Sequence, residues 1–339
     1  MKMRMNMMRV SALALAACMA LLAGCDRGGP SGGGSEAPRS GVQADDPDSG
    51  GAELYWKLSR EEGTEYLSDR EGNAVPLREY RRIIVISPGA VETLYLIGGA
   101  GAIAAVSSGR EPIWPEEQTA LLPTVGNVAR PNLEAAIALD PDLIIGNAMS
   151  AAFVADLSGR GYPALIHGAN SIADIFNCTL LLGRLTGREA AARKLVEEQQ
   201  GRLENLRAEL RERPLNLKGA FLYSANPIMA FTEKSLAGEI LSVLGVDNIA
   251  AGFNTAQPIL SPEYILSRDP DFLFGSMMIA SPDDILAADS VIAKTRAGRE
   301  KNLAVVSTSL FLRTSPRIVE SLLELYEIVK GFEPASTPG

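Results

Sequence analysis

A fifteen-residue phrase occurs twice in this chain of 339 residues, at positions 129 apart. The first copy runs from Asn132 to Gly146 and the second from Ser261 to Gly275. Both copies have Glu in the third place, Asp-Pro-Asp in the ninth to eleventh places and Gly in the last. A repeat at this distance predicts two similar lobes in one chain. Two lobes predict a cleft between them, which is the usual place for a ligand.

Each copy predicts a short helix, a tight turn and a buried strand. Asn132 and Ser261 are predicted N-caps, because their side-chain oxygens can accept hydrogen bonds from the first helical turn. The Asp-Pro pair is predicted to end each helix, since a residue before proline avoids the α region. Glu134 and Glu263 fall in the first turn, where a carboxylate stabilises the helix dipole by about 0.3–1 kcal/mol. That structural role and a functional one both stay open at this point.

Strand and helix patterns alternate along both halves of the chain. The alternation predicts an α/β fold of two Rossmann-like lobes with central, mainly parallel sheets. The predicted boundaries are 64–172 for the first lobe, with a lead-in hairpin at 64–80, then 173–213 for a helical connection and 214–332 for the second lobe.

One long helix at 187–213 is predicted to be the only connection between the lobes. Four leucines mark one face of this helix, at positions 195, 203, 206 and 210. Thr186 and Glu189 match a capping box at its start. A single stiff helix is expected to restrict the movement of the lobes.

The N-terminus has the features of a secretory signal. Three basic residues precede an apolar stretch from Val10 to Gly24, which predicts a signal peptide at 1–24. The sequence Leu22-Ala-Gly-Cys25 resembles the bacterial lipobox, which implies lipidation of Cys25. Residues 25–51 are rich in Gly, Ser, Pro and Asp and predict a flexible tether. We therefore expect an extracytoplasmic protein anchored to the membrane by its N-terminal lipid, on the periplasmic side of the inner membrane in a Gram-negative host or the outer face of the cell membrane in a Gram-positive one.

Charge and motif content exclude several function classes. Loss of the three basic residues of the signal peptide lowers the net charge from −9 to −12, which argues against nucleic acid as a partner. Gly-x-Ser-x-Gly is matched only at Gly29–Gly33, within the Gly-rich segment 25–51, and His-Glu-x-x-His does not occur. Since His167 is also the only histidine, we predict that the protein is not an enzyme. An extracytoplasmic enzyme and a ligand sensor stay open as alternatives.

Four segments together resemble a known family. They are Arg82 to Pro88 with Glu92, Gly126 to Gly146, Pro270-Asp271, and Phe311 to Arg317. In them the chain resembles the class III, Fe/B12-type substrate-binding components of ABC importers for iron–siderophore, heme and cobalamin, over about residues 64–332.

The resemblance implies a monomer with two α/β lobes bridged by one long helix, and no cofactor of its own. It implies that the protein captures a metal chelate between the lobes and delivers it to an ABC permease dimer. The chelate we favour here is an iron–siderophore, with heme and cobalamin as alternatives. The resemblance further implies that one surface carboxylate on each lobe docks to arginines of the permease, and Glu134 and Glu263 occupy the matching positions.

Ligands of parallel α/β lobes bind beyond the carboxyl ends of the strands. That rule selects eight candidate ligand-binding residues: Arg110, Trp114, Met149, His167, Tyr223, Met229, Met278 and Arg313. The two arginines suit an anionic chelate, although pairing with a neighbouring acid is an equal alternative. His167 could ligate heme iron or be structural. No histidine cluster is available for a bare transition metal.

Overall fold

The computed structural model describes residues 54–109, 111–307 and 313–332. The predicted Cys25 lipidation site, the tether and Arg110 lie outside these residues. Within them the chain forms two mainly parallel sheets flanked by helices, which confirms the predicted α/β class and its Rossmann-like lobes. The helices are α1 Pro88–Leu96, α2 Glu116–Thr119, α3 Leu133–Ala138, α4 Ala151–Gly159, α5 Ile172–Leu185, α6 Glu189–Glu212, α7 Leu236–Val243, α8 Pro262–Arg268, α9 Pro282–Ala288, α10 Arg296–Glu300 and α11 Ile318–Lys330.

A small antiparallel sheet opens the described chain. Its strands are β1 Trp56–Glu61, β2 Thr64–Asp69 and β3 Ala74–Pro76. The hairpin of β2 and β3 lies within the predicted lead-in segment, whereas β1 was not predicted. Only Trp56 is buried in β1, so the strand lacks the alternation of apolar and polar residues by which strands are recognised.

The first lobe contains a six-stranded sheet in the order β7-β6-β5-β4-β8-β9. Every neighbouring pair is parallel except β6 and β7. The strand order reverses at β4, which lies between β5 and β8. Such a switch point opens a crevice at the carboxyl ends of the strands. The bounds are β4 Ile83–Val85, β5 Ile103–Ser108, β6 Thr124–Asn127, β7 Arg130–Pro131, β8 Leu143–Gly146 and β9 Ala164–Ile166.

The second lobe contains a five-stranded sheet built on the same plan. Strand β10 pairs in parallel with β12 and β13, β13 pairs in parallel with β14, and β11 is antiparallel to β10. The strand order therefore switches at β10, as it does at β4 in the first lobe. The bounds are β10 Lys218–Ala225, β11 Ile228–Ala230, β12 Asp247–Asn248, β13 Phe272–Gly275 and β14 Leu303–Val305.

Helices α5 and α6 connect the two sheets and contribute to two hydrophobic cores. Ile172 and Phe176 at the start of α5 pack into the core of the second lobe, whereas Leu182 further along α5 packs into that of the first. Three of the four predicted leucines of α6 are buried and the fourth is half-buried. The capping box predicted at Thr186 was wrong: the helix begins at Glu189 after Arg188, and the Thr186 hydroxyl donates to the carbonyl of Leu182 at 2.8 Å.

The two copies of the repeated phrase have the same local geometry. The side chains of Asn132 and Ser261 accept hydrogen bonds from the third helical residue, which confirms both predicted N-caps. Asp140 and Asp269, each before a proline, have positive φ of 45° and 44°. A side chain at the closing glycines would approach neighbouring atoms too closely, within 2.4 Å at Gly146 and 2.6 Å at Gly275.

No helix in the described part of the chain combines the length and the apolar character needed to cross a membrane.

Candidate ligand-binding cleft

A cavity of about 730 Å³ lies at the carboxyl ends of the first-lobe strands. Loops after β4, β5, β6, β8 and β9 supply most of its wall, as the switch-point rule predicts. Met277, after β13 of the second lobe, and Arg313 and Thr314, before α11, complete the wall together with Tyr55. Segments from both halves of the sequence therefore border one cavity.

His167 lies in the wall directly after β9 and is only 2% exposed. Its Nδ1 lies 2.9 Å from the hydroxyl oxygen of Ser87 and 3.3 Å from that of Thr314. The ring also contacts Trp56 edge-on, with ring centroids 5.6 Å apart. Burial lowers the pKa of His167 to about 4, because a charged imidazole would lose its hydration. The side chain is therefore neutral at physiological pH and closely packed.

Arg313 and the buried carboxylate of Glu92 form an ion pair across 221 positions of sequence. Arg313 Nη1 donates to Glu92 Oε1 at 2.7 Å, and the Ser315 hydroxyl donates to Oε2 at 2.8 Å. Arg313 Nη2 donates to the carbonyl of Pro112 at 2.8 Å. Arg317 lies 3.9 Å from Glu92 Oε2. The segment 313–317 is thereby attached to the first lobe.

This attachment is a non-covalent contact between the parts of the chain that build the two sheets, since residues 313–317 precede α11, whose buried side chains belong to the second core. It is additional to the connection along the chain through α5 and α6. The backbone of Thr314 also leaves no room for a side chain at Gly89, where a Cβ would lie 2.9 Å from the Thr314 carbonyl oxygen.

The candidate ligand-binding residues are divided by the structure into those that line the cavity and those that do not. Met149, His167 and Arg313 line it, and Met149 is 67% exposed. Trp114 lies outside the lining, with the Arg317 guanidinium 4.9 Å from its ring centroid. Three second-lobe candidates also lie outside it: Tyr223, Met229 and Met278.

Each of these three second-lobe residues has a different environment. Tyr223 packs edge-on against Phe231, with ring centroids 5.8 Å apart. Met229 is half-buried within β11 and forms a bridge to Ile259. Met278 is 70% exposed, and its neighbour Met277 lines the cavity instead. The exchange of one methionine for the next follows from the turn after β13, where Met277 has positive φ of 58°.

Several lining residues were not selected from the sequence. Tyr55 precedes β1, Asn127 ends β6 beside an antiparallel strand, and Thr314 lies within the segment attached to Glu92. The switch-point rule points to positions that directly follow the strands, so it does not identify Tyr55 or Thr314. Only for Asn127 was there a usable signal, namely its place at the end of a parallel strand.

Glu134 and Glu263 are both exposed and lie in the first turns of α3 and α8. Each helix precedes a parallel strand through a short turn and so runs antiparallel to that strand. Its first turn consequently lies toward the edge of the sheet where the strands end. The two glutamates therefore occupy equivalent positions on the cleft side of the two sheets.

Among the described residues, no group of three or more His, Cys, Asp or Glu side chains is arranged to hold a metal ion.

Comparison with known proteins identifies the family. The profile of the family described as "Periplasmic binding protein" matches residues 83–309, which is more than half of the chain. The chain belongs to the periplasmic binding protein family. This confirms the resemblance inferred from Arg82–Pro88, Gly126–Gly146 and Pro270-Asp271.

Several relatives are named for the ligand that they bind, and two of them represent different ligands. A cobalamin-binding protein of Halobacterium salinarum is 27% identical over 271 residues, which covers 76% of this chain and 72% of the relative. The Fe(3+) dicitrate-binding periplasmic protein FecB of Escherichia coli is 24% identical over 212 residues, covering 61% and 70%. Both relatives are binding proteins, which supports at the level of the family the prediction that this chain is not an enzyme.

The crystal structure of the periplasmic vitamin B12-binding protein BtuF of Vibrio cholerae has the same fold. It superposes with a TM-score of 0.63 at 22% identity and covers 76% of this chain and 99% of BtuF. This periplasmic binding protein is thus a substrate-binding protein, and its relatives include binding proteins for cobalamin and Fe(3+) dicitrate. The family acts outside the cytoplasm, in agreement with the predicted extracytoplasmic location.

Proposed function

We propose that this periplasmic binding protein captures a corrinoid, such as cobalamin, between its lobes and delivers it to an ABC permease. The observation that carries the choice of ligand is the low charge of the part of the cleft wall that the structure describes. Among the described lining residues, only Glu111 and Arg313 are charged, and Arg313 is paired with Glu92. A heme or ferric siderophore with several carboxylates would be expected to need unpaired arginines.

The remaining wall suits a large ring with neutral amides at its edge. Three asparagines, Asn127, Asn147 and Asn170, offer uncharged amide groups. Met149 and Met277 offer adaptable apolar surface. The corrin ring carries acetamide and propionamide side chains around an apolar macrocycle, and cobalamin is also the ligand named for the Halobacterium relative.

The second candidate ligand is the iron–siderophore that the sequence favoured. It is supported by the likeness to FecB and by Arg110, whose position in the sequence follows β5. Heme is the third, although the buried Nδ1 of His167 already contacts two hydroxyls and only 2% of the residue is exposed.

Titration of the full chain, purified in detergent, distinguishes these ligands. Cyanocobalamin, cobinamide, heme, ferric dicitrate and a ferric hydroxamate would be followed by calorimetry and tryptophan fluorescence. We expect saturable binding of the two corrinoids, with heme and the two ferric chelates at least tenfold weaker, a difference of about 1.4 kcal/mol. Saturable binding of a ferric chelate without any corrinoid binding would replace the proposal with the second candidate.

We also propose that residues 1–24 are removed as a signal peptide, that Cys25 is lipidated, and that 25–51 tether a monomeric receptor to the membrane. The lobe boundaries at 64–172 and 214–332, with the connection at 173–213, belong to the same proposal. Substitution Cys25→Ala should move the protein from the membrane fraction to the soluble fraction, and an unchanged membrane fraction would contradict the anchor.

A further inference from the structure

One residue of the cleft wall, Tyr55, precedes the region that the family profile matches. The matched region begins at residue 83, whereas Tyr55 lies just before β1 and lines the cavity. Tyr55 is a buried residue, with 8% of its surface exposed. The segment that leads into the small N-terminal sheet therefore also contributes to the cleft wall.

Three hydrogen bonds hold the Tyr55–Trp56 segment in place. The Tyr55 backbone N–H donates to Asp174 Oδ1 at 2.7 Å, and the Asn177 side chain donates to the Trp56 carbonyl at 2.8 Å. The Trp56 indole N–H donates to the Ile166 carbonyl at 2.7 Å. These partners belong to α5 and β9, which also lead into the cavity wall. The position of the phenol is thus set by regular elements of the first lobe.

The Tyr55 ring lies directly on Gly168, which is itself part of the cavity wall. A Cβ at position 168 would lie 2.5 Å from Tyr55 Cζ and 2.6 Å from its hydroxyl oxygen. Glycine is therefore required there to let the hydroxyl end of the ring approach the backbone. The contact places the phenol hydroxyl at the cavity wall beside the loop that follows β9.

The Tyr55 hydroxyl has no hydrogen-bond partner among the described residues, and it is not one of the atoms sealed from solvent. A hydroxyl that is accessible from the cavity and has no protein partner can form a hydrogen bond with a bound ligand. Burial, reinforced by the negative charge of Glu71, raises the pKa of Tyr55 to about 12. The phenol is therefore protonated at neutral pH and can donate a hydrogen bond.

We propose that the Tyr55 hydroxyl is a ligand-binding group that donates a hydrogen bond to a neutral carbonyl, of the carboxamide class, on the edge of the bound chelate. This inference rests on the proposed function, since it assigns a contact to the same cleft. The carboxamide class is named because carboxamides are the polar groups at the edge of the corrinoid proposed above.

Substitution Tyr55→Phe tests the contact, because it removes the hydroxyl and keeps the ring on Gly168. Tyr66→Phe is the matched control, since Tyr66 lies in β2 of the same small sheet and does not line the cavity. In the full chain we expect Tyr55→Phe to weaken cyanocobalamin binding about fivefold by calorimetry, in the range of one hydrogen bond. Tyr66→Phe should leave the affinity unchanged, and urea unfolding should show equal stability for Tyr55→Phe and the wild type.

A change of less than twofold in Tyr55→Phe, with normal binding by the wild type, overturns this inference and leaves the proposed function standing. If the wild type binds another chelate of the panel instead of a corrinoid, the role of Tyr55 is decided with that chelate. The quantity compared is then the affinity of Tyr55→Phe for it relative to that of the wild type. A wild type that binds none of the panel overturns both proposals. Equal losses in the two tyrosine variants would assign the effect to the small sheet and would also overturn the contact.

Discussion

Arg313 and His167 in the cleft wall both contact residues from distant parts of the chain. Arg313 was predicted to bind either an anionic ligand or a neighbouring acid. In the structure it pairs with an acid, Glu92. The acid is 221 positions away, so no local pattern could have named it. His167 follows a strand as expected, but its neutral state depends on burial by Trp56 and on contacts from Ser87 and Thr314.

His167 predicts how stability depends on pH. Its pKa is about 4 in the folded chain and about 6.5 when unfolded, so between these values the unfolded state binds more protons. The contribution of neutral His167 to the free energy of unfolding is fully present above pH 6.5. It is lost as the pH falls toward 4. The free energy of unfolding should decrease by about 2 kcal/mol between pH 7 and pH 5 from His167 alone.

Urea unfolding at the two pH values measures this decrease. The variant His167→Asn, which can keep a side-chain contact with Ser87, should lose that part of the pH dependence. A decrease of equal size in His167→Asn would show that other groups cause it.

At the scale of elements, the Asp-Pro-Asp segment of the repeated phrase has a second structural role. Asp-Pro-Asp was predicted only to end a helix. In the structure the second aspartate also joins neighbouring strands: Asp142 accepts from the backbone N–H groups of Arg81 and Arg82 at 2.8 and 2.9 Å, and Asp271 accepts from that of Lys218 at 2.7 Å. In both lobes the aspartate thus holds the start of the strand at the switch point.

The two aspartates should differ in their contribution to stability. Asp271 is 9% exposed and also accepts from Arg296 Nη1 at 2.6 Å, whereas Asp142 is half-buried. We expect Asp271→Ala to lower the free energy of unfolding by about 3 kcal/mol and Asp142→Ala by about 1.5 kcal/mol, since charge-assisted hydrogen bonds are lost in both. Urea unfolding of the two variants measures the difference, and a larger loss in Asp142→Ala would contradict this account.

At the scale of the whole molecule, the buried Glu92 joins α1 to the segment before α11. Glu92→Gln would leave the guanidinium of Arg313, which is only 15% exposed, without its charge partner. Removal of one partner of a buried pair is expected to cost about 3 kcal/mol of unfolding free energy. Urea unfolding measures this loss.

Glu320→Gln is the control for Glu92→Gln, because Glu320 is an exposed partner of Arg317 at 3.7 Å. An exposed pair contributes less than about 1 kcal/mol. Equal effects of the two substitutions would show that burial of Glu92 is not what makes it important.

The proposed docking of Glu134 and Glu263 to a permease is also a property of the whole molecule. Charge reversal of both residues to Lys should abolish ligand uptake by cells and leave ligand affinity unchanged, since both are exposed and neither lines the cavity. Reversal of Glu197 and Glu212, exposed on α6, is the control with the same change of charge. Unchanged uptake in the first variant would exclude docking and favour the sensor alternative.

Patterns in the sequence were enough to predict the two-lobed α/β architecture of this periplasmic binding protein, the N-caps at Asn132 and Ser261, and the edge of the sheet at which the cavity opens. These features follow from local periodicity, turn chemistry and a repeat, all of which are properties of neighbouring residues. Tertiary structure alone decided that Tyr55 and Thr314 border the cavity and that Glu92 neutralises Arg313. Those contacts join residues far apart in the chain, and only the packing of the lobes brings them together.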